Sequence, residues 1–260
     1  MLAYPQLETG AISQFPVKKT RRARTIRNQT ADGTTIQLAD PAGGATEWQL
    51  WYEDLADEEA AALLAFFASA EGTLNSFTFL DPTGNLLAWS EALDNAVWQR
   101  DPLLALTGGA ADPAGGTRAW QAANGGTGSQ GIRQTLAAPG DFQYCMSVYL
   151  RAATPTVARL QIGSQTAERY IGGGWNRVTF SASGDAGASS TTFGIAVDGG
   201  TTVQIYGPQA EPQNGASAYK TSTTGGVYPD ARMGSDSLTI TATDVNRHSC
   251  KVTIIHVNHL

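Results

Sequence analysis

Charge is scarce in this chain: Asp, Glu, Lys and Arg together make up only 15% of its 260 residues. With 42% apolar residues and 29 glycines beside that scarcity, the composition excludes bulk disorder and suits a folded chain with many tight turns and little helix. Long hydrophobic runs are missing as well. The stretch around Leu63 to Ala68 falls far short of the ~20 apolar residues that cross a bilayer, so no membrane partner is expected. Cysteine is nearly absent. Cys145 and Cys250 lie far apart with no CxxC spacing, which removes the usual redox and zinc patterns and leaves two free, packed thiols as the expectation. The three histidines, His248, His256 and His259, lack the carboxylate and cysteine company of a zinc site. Strand alternation also puts His256 and His259 on opposite faces, so neither metal nor cofactor is expected. Met1 to Gly10 has no basic start followed by an apolar run, which predicts a protein assembled in the cytoplasm.

Turns and short alternating segments fill the rest of the chain and predict a mainly β fold. Pro5 and Pro16 bound an extended arm, Tyr4 to Phe15, that leads into a strongly basic strand from Lys18 to Arg27. Ala31-Asp32-Gly33-Thr34 reads as a turn and Glu47 to Tyr52 as a half-buried strand. One helix is expected, capped at Asp57 and ending near Gly72, with Leu63, Phe66, Phe67 and Ala70 forming its apolar stripe. A strand from Leu74 to Leu80 and the turn Asp81-Pro82-Thr83-Gly84 close this α+β segment.

Beyond Asn85 helical periodicity gives way to the pattern of an all-β sandwich. Met146, Val148 and Leu150 alternate with Ser147, Tyr149 and Arg151; Leu160 and Ile162 alternate with Arg159 and Gln161; Val178 and Phe180 alternate with Trp175, Arg177 and Thr179. Val203 and Ile205 beside Gln204 and Tyr206 continue the arrangement. After Gly225 a hairpin remains, Ser237 to Thr243 and Lys251 to Val257. Two strands alone are marginally stable, so they are expected to rejoin the N-terminal sheet. The predicted organisation is a discontinuous host domain, residues 1–84 and 225–260, interrupted by a sandwich at 85–224.

The basic strand Lys18 to Arg27, the segment Leu63-Leu64-Ala65-Phe66-Phe67 and the run Gly72 to Pro82 resemble the distal tail and minor tail proteins of long-tailed bacteriophages. That resemblance covers about a third of the chain. It implies a small split β-barrel or sandwich with one helix, copies of which form a ring, expected to be a hexamer, between the tail tube and the tail-tip hub proteins of the virion. Asn85 to Glu91, Gly116 to Ala119, Ser147 to Arg151, Trp175 to Arg177, Gly207 to Glu211 and Ala216 to Thr221 resemble the carbohydrate-binding-module-like jelly rolls of phage tails. Such sandwiches bind host-surface polysaccharide in some settings and act as spacers or docking platforms in others.

By strand parity the solvent side of the sandwich carries Tyr149, Arg151, Gln161, Trp175, Arg177, Gln204 and Tyr206. Aromatic rings can stack on a pyranose while Arg and Gln satisfy its hydroxyls; equally, Trp175 and Tyr206 can pack beneath edge loops. Trp98 and Trp120 are open to the same two readings, platform or lid. Lys18, Lys19, Arg21, Arg22, Arg24 and Arg27 are candidate assembly residues that line a ring or meet an acidic neighbour. A solvated edge strand and a contact with DNA in a tail channel remain alternatives, although a net charge of −6 argues against specific nucleic-acid binding. No nucleophile elbow and no H-E-x-x-H spacing occurs. The expectation is a non-enzymatic protein, with a glycan-active tail enzyme as the alternative that a pair of acidic residues facing a cleft would favour.

Overall fold

The computed structural model describes residues 2–257. The chain opens with strands β1 (Val17–Gln29) and β2 (Thr35–Leu55), helix α1 (Asp57–Ala70) and strand β3 (Phe77–Leu80). Ten strands follow: β4 (Gln99–Arg100), β5 (Leu104–Ala110), β6 (Ala119–Asn124), β7 (Gln130–Leu136), β8 (Gln143–Arg151), β9 (Thr156–Ile162), β10 (Gln165–Ile171), β11 (Asn176–Ser183), β12 (Thr191–Val197) and β13 (Thr202–Glu211). The chain closes with β14 (Val227–Met233), β15 (Ile240–Asp244) and β16 (Arg247–Val257). Contacts divide it into two compact units, Met1–Leu7 with Ser13–Phe79 and Tyr228–Leu260, and Glu8–Ile12 with Leu80–Val227.

In the first unit the strands make one sheet in the order β1-β2-β16-β14-β3, with β15 paired to β16. The C-terminal strand therefore lies beside β2, where Leu50 faces Val252 and Trp48 faces Ile254. All four are buried, as the apolar alternation on both strands requires. Aromatic residues from separate segments fill the core: Phe66 of α1 meets Tyr4 at 5.1 Å and Phe77 at 4.8 Å, and Trp48 meets Phe79 at 5.0 Å. Edge-to-face pairs of this kind add ~0.5–1.5 kcal/mol each beyond their buried area. The Tyr4 and Tyr52 hydroxyls hydrogen-bond at 2.8 Å within that core.

Several expected details shift. The helix N-cap is Ala56, not Asp57, because Glu59 supplies the cap by accepting the Ala56 N–H at 3.0 Å. Asp57 is instead the first helical residue; its carboxylate lies 2.6 Å from His248 Nε2. The buried stripe of α1 is Ala60, Leu63, Phe66 and Ala70, with Phe67 half-buried at its margin. Strand β3 begins at Phe77, and Leu74 before it is exposed. Strand β2 starts at Thr35, well before the expected Glu47, and pairs with β1 from Gln29↔Thr35 to Val17↔Leu50 across an irregularity between Arg22 and Arg24.

The second unit is a sandwich of two five-stranded sheets, ordered β10-β9-β12-β7-β4 and β11-β8-β13-β6-β5. Met146, Val148 and Leu150 of β8 and Val203 and Ile205 of β13 are buried, as are Leu160 and Ile162 of β9 and Phe193, Ile195 and Val197 of β12. Tyr144 crosses from one inner face to Phe193 on the other, with ring centroids 5.3 Å apart. Period-two alternation thus puts one face of each sheet in the core. Both cysteines are free and buried, and burial raises the thiol pKa of each, to about 11 for Cys250. Among the described residues no cluster of metal-ligating side chains occurs; His259 lies outside them.

Candidate functional site

Strand β8 is central to the second sheet, with β11 on one side and β13 on the other. Tyr149 faces Arg177 of β11 and Tyr206 of β13, and two residues along, Arg151 faces Gln204. Trp175 immediately precedes β11. The outer face therefore alternates cation and ring: the Arg177 guanidinium lies 5.6 Å from the Tyr149 ring, and that of Arg151 lies 4.7 Å from the Trp175 ring. Arg151 Nε donates to Gln204 Oε1, and an Arg177 Nη donates to the buried Ser147 hydroxyl at 2.9 Å. A ring contact and neutral hydrogen-bond acceptors restrain both guanidinium groups, Arg151 also donating to Ala111 O at 3.4 Å. Beside Arg151 a depression of about 260 Å³ is lined by Gln121, Gln204 and Thr202.

Five of the seven predicted residues, Tyr149, Arg151, Trp175, Arg177 and Gln204, share this face and are half-buried. Gln161 does not join them. It lies on β9 of the opposite sheet, where its amide donates to Gly163 O at 2.8 Å. Parity gives the outward side of a strand but not the sheet to which the strand belongs. Tyr206 occupies the right face yet is only 5% exposed. Tyr219 packs on it at 5.4 Å, Arg118 lies over its ring at 5.4 Å, and its hydroxyl donates to Glu91 at 3.1 Å. It braces the face from within and offers no free stacking surface. Trp98 is buried, its indole N–H donating to Trp89 O at 3.1 Å, so it acts as a lid on the core. Trp120 is half-buried with its N–H on Glu91 O at 2.9 Å. Gln121 was not singled out by sequence. The alternation next to Trp120 is its only signal, and it faces Gln204 directly.

Carboxylates at this side of the sandwich are already engaged. Glu91 accepts from Arg118 at 3.1 Å, from Tyr206 at 3.1 Å and from Tyr219 at 3.3 Å. Buried Glu211 accepts from Gln209 at 2.8 Å and from the Ser217 N–H at 3.0 Å. Most of the motif segments from the sequence meet in this network. Asn85 binds Pro208 O and Lys220 O, Ser90 meets Tyr219 at 2.9 Å, and Gln209 accepts the Lys220 N–H at 2.7 Å. Those segments staple the start and end of the sandwich together, which accounts for their spacing in structural terms.

The six basic residues of β1 are distributed unevenly. Arg22 pairs with Glu47 and Arg24 with Asp40, so β2 neutralises part of the expected one-signed strand. Lys19 Nζ lies 5.4 Å from the Trp48 ring. Lys18, Arg21 and Arg27 are exposed and make no ion pair among the described residues. From Arg21 to Ala39 the β1–β2 hairpin is exposed on both faces. One of them aligns Ile26 opposite Leu38, with Ile36 in the next pair of that face opposite Asn28. These three aliphatic side chains are 42%, 52% and 45% exposed respectively.

No family model matches the chain, and no curated protein matches it. Among solved structures, the enzymatically active domain of bacteriophage CBA120 tailspike protein 4 is similar over 51% of this chain, at 14% identity and a TM-score of 0.40; the match spans only 22% of that protein. The CBM22-1 xylan-binding domain of Xyn10C from Paenibacillus barcinonensis matches over 51% of this chain and 96% of its own, at 15% identity and a TM-score of 0.41. The C-terminal family 22 carbohydrate-binding module of Clostridium thermocellum Xyn10B matches over 53% and 98%, at 13% identity and a TM-score of 0.41.

Proposed function

We propose that the chain is a non-catalytic structural subunit that assembles through its β1–β2 hairpin into a ring at the distal end of a bacteriophage tail tube, with the sandwich serving as a glycan-binding module. The hairpin carries this reading. A two-stranded ribbon has marginal stability in water, and this one exposes Ile26, Ile36 and Leu38 together on one face. Each is already about half buried, so covering the rest against a partner would contribute about half of the ~1.5–3 kcal/mol of complete burial, ~0.7–1.5 kcal/mol. Charge favours a second copy as that partner. Residues 17–40 hold six basic and two acidic side chains, a net of +4, so the remainder of a chain of net charge −6 carries −10. A basic hairpin on an acidic body is a head-to-tail contact, and such contacts generate rings when the rotation closes.

The tail setting comes from the resemblance of the basic strand, the helix segment and the run to Pro82 described above. The non-catalytic reading is supported by Glu91 and Glu211, each held by several donors. Copies on one ring would multiply a modest glycan affinity through avidity.

Light scattering and negative-stain microscopy of the full chain test the assembly. The expected result is a closed ring, with six copies the expectation from the resemblance. Replacing Ile26, Ile36 and Leu38 by serine should disperse the ring into monomers while the unfolding of the sandwich stays unchanged. A wild-type protein that remains monomeric at every concentration, and is monomeric in intact particles, would overturn the proposal.

A further inference from the structure

The outer face of the β11-β8-β13 sheet holds two guanidinium groups that form no ion pair among the described residues. Arg118, Arg133 and Arg159 of the same unit are each paired with carboxylates. Arg151 and Arg177 are not: their hydrogen bonds go to Gln204, to Ala111 O and to the Ser147 hydroxyl, all neutral acceptors. The Arg177 Nε is buried and has no hydrogen-bond partner among the described residues. A half-buried cation loses part of its hydration and is stabilised when an anion restores the balance. Both carboxylates on this side are already committed, Glu91 to Arg118, Tyr206 and Tyr219 and Glu211, which like Arg177 acts on Cys145, to Gln209 and the Ser217 N–H.

Geometry makes the pair act together. Arg151 and Tyr149 sit two residues apart on one face of β8, about 7 Å along the strand, and Arg177 lies directly across from Tyr149. Each guanidinium lies over a ring, at 4.7 Å for Arg151 and 5.6 Å for Arg177, and is hydrogen-bonded to a neutral acceptor, so its donors are restrained before any ligand arrives. A planar fork in a fixed orientation matches carboxylate and phosphate oxygens. The depression beside Arg151 holds about 260 Å³, below the ~300–1,000 Å³ of a pocket that engulfs a drug-sized ligand. It suits one unit of a longer polymer, with Gln121, Gln204 and Thr202 placed for hydroxyl groups.

We propose that this face recognises an acidic glycan, whose carboxylate or phosphate group engages Arg151 and Arg177 while Trp175 and Tyr149 hold the two guanidinium groups in place and Gln121, Gln204 and Thr202 meet the hydroxyls of the sugar. The inference rests on the reading of the sandwich as a glycan-binding module and specifies its ligand class. Phosphate diesters of DNA share the charge, but the face offers neutral hydrogen-bonding groups at a single-unit depression and no extended basic track, which favours sugar.

Affinity electrophoresis and calorimetry of the full chain, against polygalacturonate, a phosphomannan, neutral xylan and galactan, and duplex DNA, test the proposal. Binding to polygalacturonate or the phosphomannan should exceed binding to the neutral polymers, and which of the two is retained separates a carboxylate from a phosphate ligand. Arg151→Gln and Arg177→Gln should each weaken the complex roughly 10- to 100-fold, with Trp175→Ala also weakening it and the circular dichroism and melting temperature unchanged. If a variant unfolds, competition on the wild-type protein decides, since free galacturonate or phosphate should displace the polymer where equal glucose does not. Equal affinity for neutral and acidic polymers would overturn the anionic specificity and leave the glycan reading in place. Binding to none of the glycans would overturn both, and DNA bound as tightly as the acidic glycan would overturn sugar recognition in favour of general polyanion binding.

Discussion

Replacing Asn85 by alanine should unfold the sandwich at a markedly lower temperature, because this one side chain satisfies four backbone groups. Its Nδ2 donates to Pro208 O at 2.9 Å and to Lys220 O at 3.3 Å. Its Oδ1 accepts the N–H groups of Leu87 at 3.0 Å and Ala210 at 3.1 Å. Leu87 and Ala210 are fully buried, so water cannot replace the lost acceptor, and each orphaned N–H costs ~1–3 kcal/mol. Pro208 is also buried, whereas Lys220 is half-exposed and its carbonyl can find solvent. Two buried donors and one buried carbonyl, less the relief of not burying the Asn amide, come to about 4 kcal/mol. For a unit of this size each kcal/mol moves the midpoint ~2–4 °C, giving a fall of roughly 8–16 °C. Thermal melts of Asn85→Ala followed by near-ultraviolet circular dichroism, with urea midpoints as a check, read this directly. A drop under about 3 °C would show that the four bonds do not act as the staple described.

Gly207→Ala should also destabilise the sandwich, by about 2 kcal/mol or more, since φ is +60° and the added Cβ would lie 2.9 Å from the Tyr219 ring; a lower urea midpoint with an unchanged m-value is the expected result. Tyr4→Phe removes the hydroxyl bonded to Tyr52 in the core and should cost the first unit about 1–2 kcal/mol, measured as a shift of its own transition. Burial alone would raise the pKa of Asp112, but the N–H groups of Gly116, Arg118 and Ala114 and the Arg118 side chain hold it down to about 2. Because the folded value is depressed, the stabilisation is complete above the unfolded value of ~3.9 and disappears as pH falls towards 2. Urea midpoints at descending pH should fall more steeply for wild type than for Asp112→Asn, and parallel curves would refute the assignment.

The legible parts of this chain are those where local alternation decides the outcome. Met146, Val148 and Leu150 point inward and Tyr149 and Arg151 outward because parity along one strand is a local property. Gln161 has the same parity signal yet sits on the other sheet, since strand order depends on pairings between distant segments. Tyr206 shows a second limit. Its outward position is right, but Glu91 and Arg118, from segments far away in sequence, and Tyr219, from the loop that follows β13, close over it. Strand β2 starts early because it runs through Pro41 and Gly43-Gly44, residue types that weaken the local pattern of a strand. Asn85 opens one of the segments that carry the jelly-roll resemblance, but only Ala210 and Lys220, more than a hundred residues downstream, reveal that it joins two ends of a domain.

The place of β16 in the first sheet governs how the chain can be made. Strand β2 ends at Leu55 and its partner begins at Arg247, so at ~5–20 residues per second a ribosome needs roughly 10–40 s to deliver the second after the first. During that interval Trp48 and Leu50 have no β16 to cover them. The nascent chain therefore carries an unsealed apolar edge while the whole sandwich is produced. Termination before Arg247, which removes β16, would leave that seam permanently open and mark the product for chaperone capture or degradation.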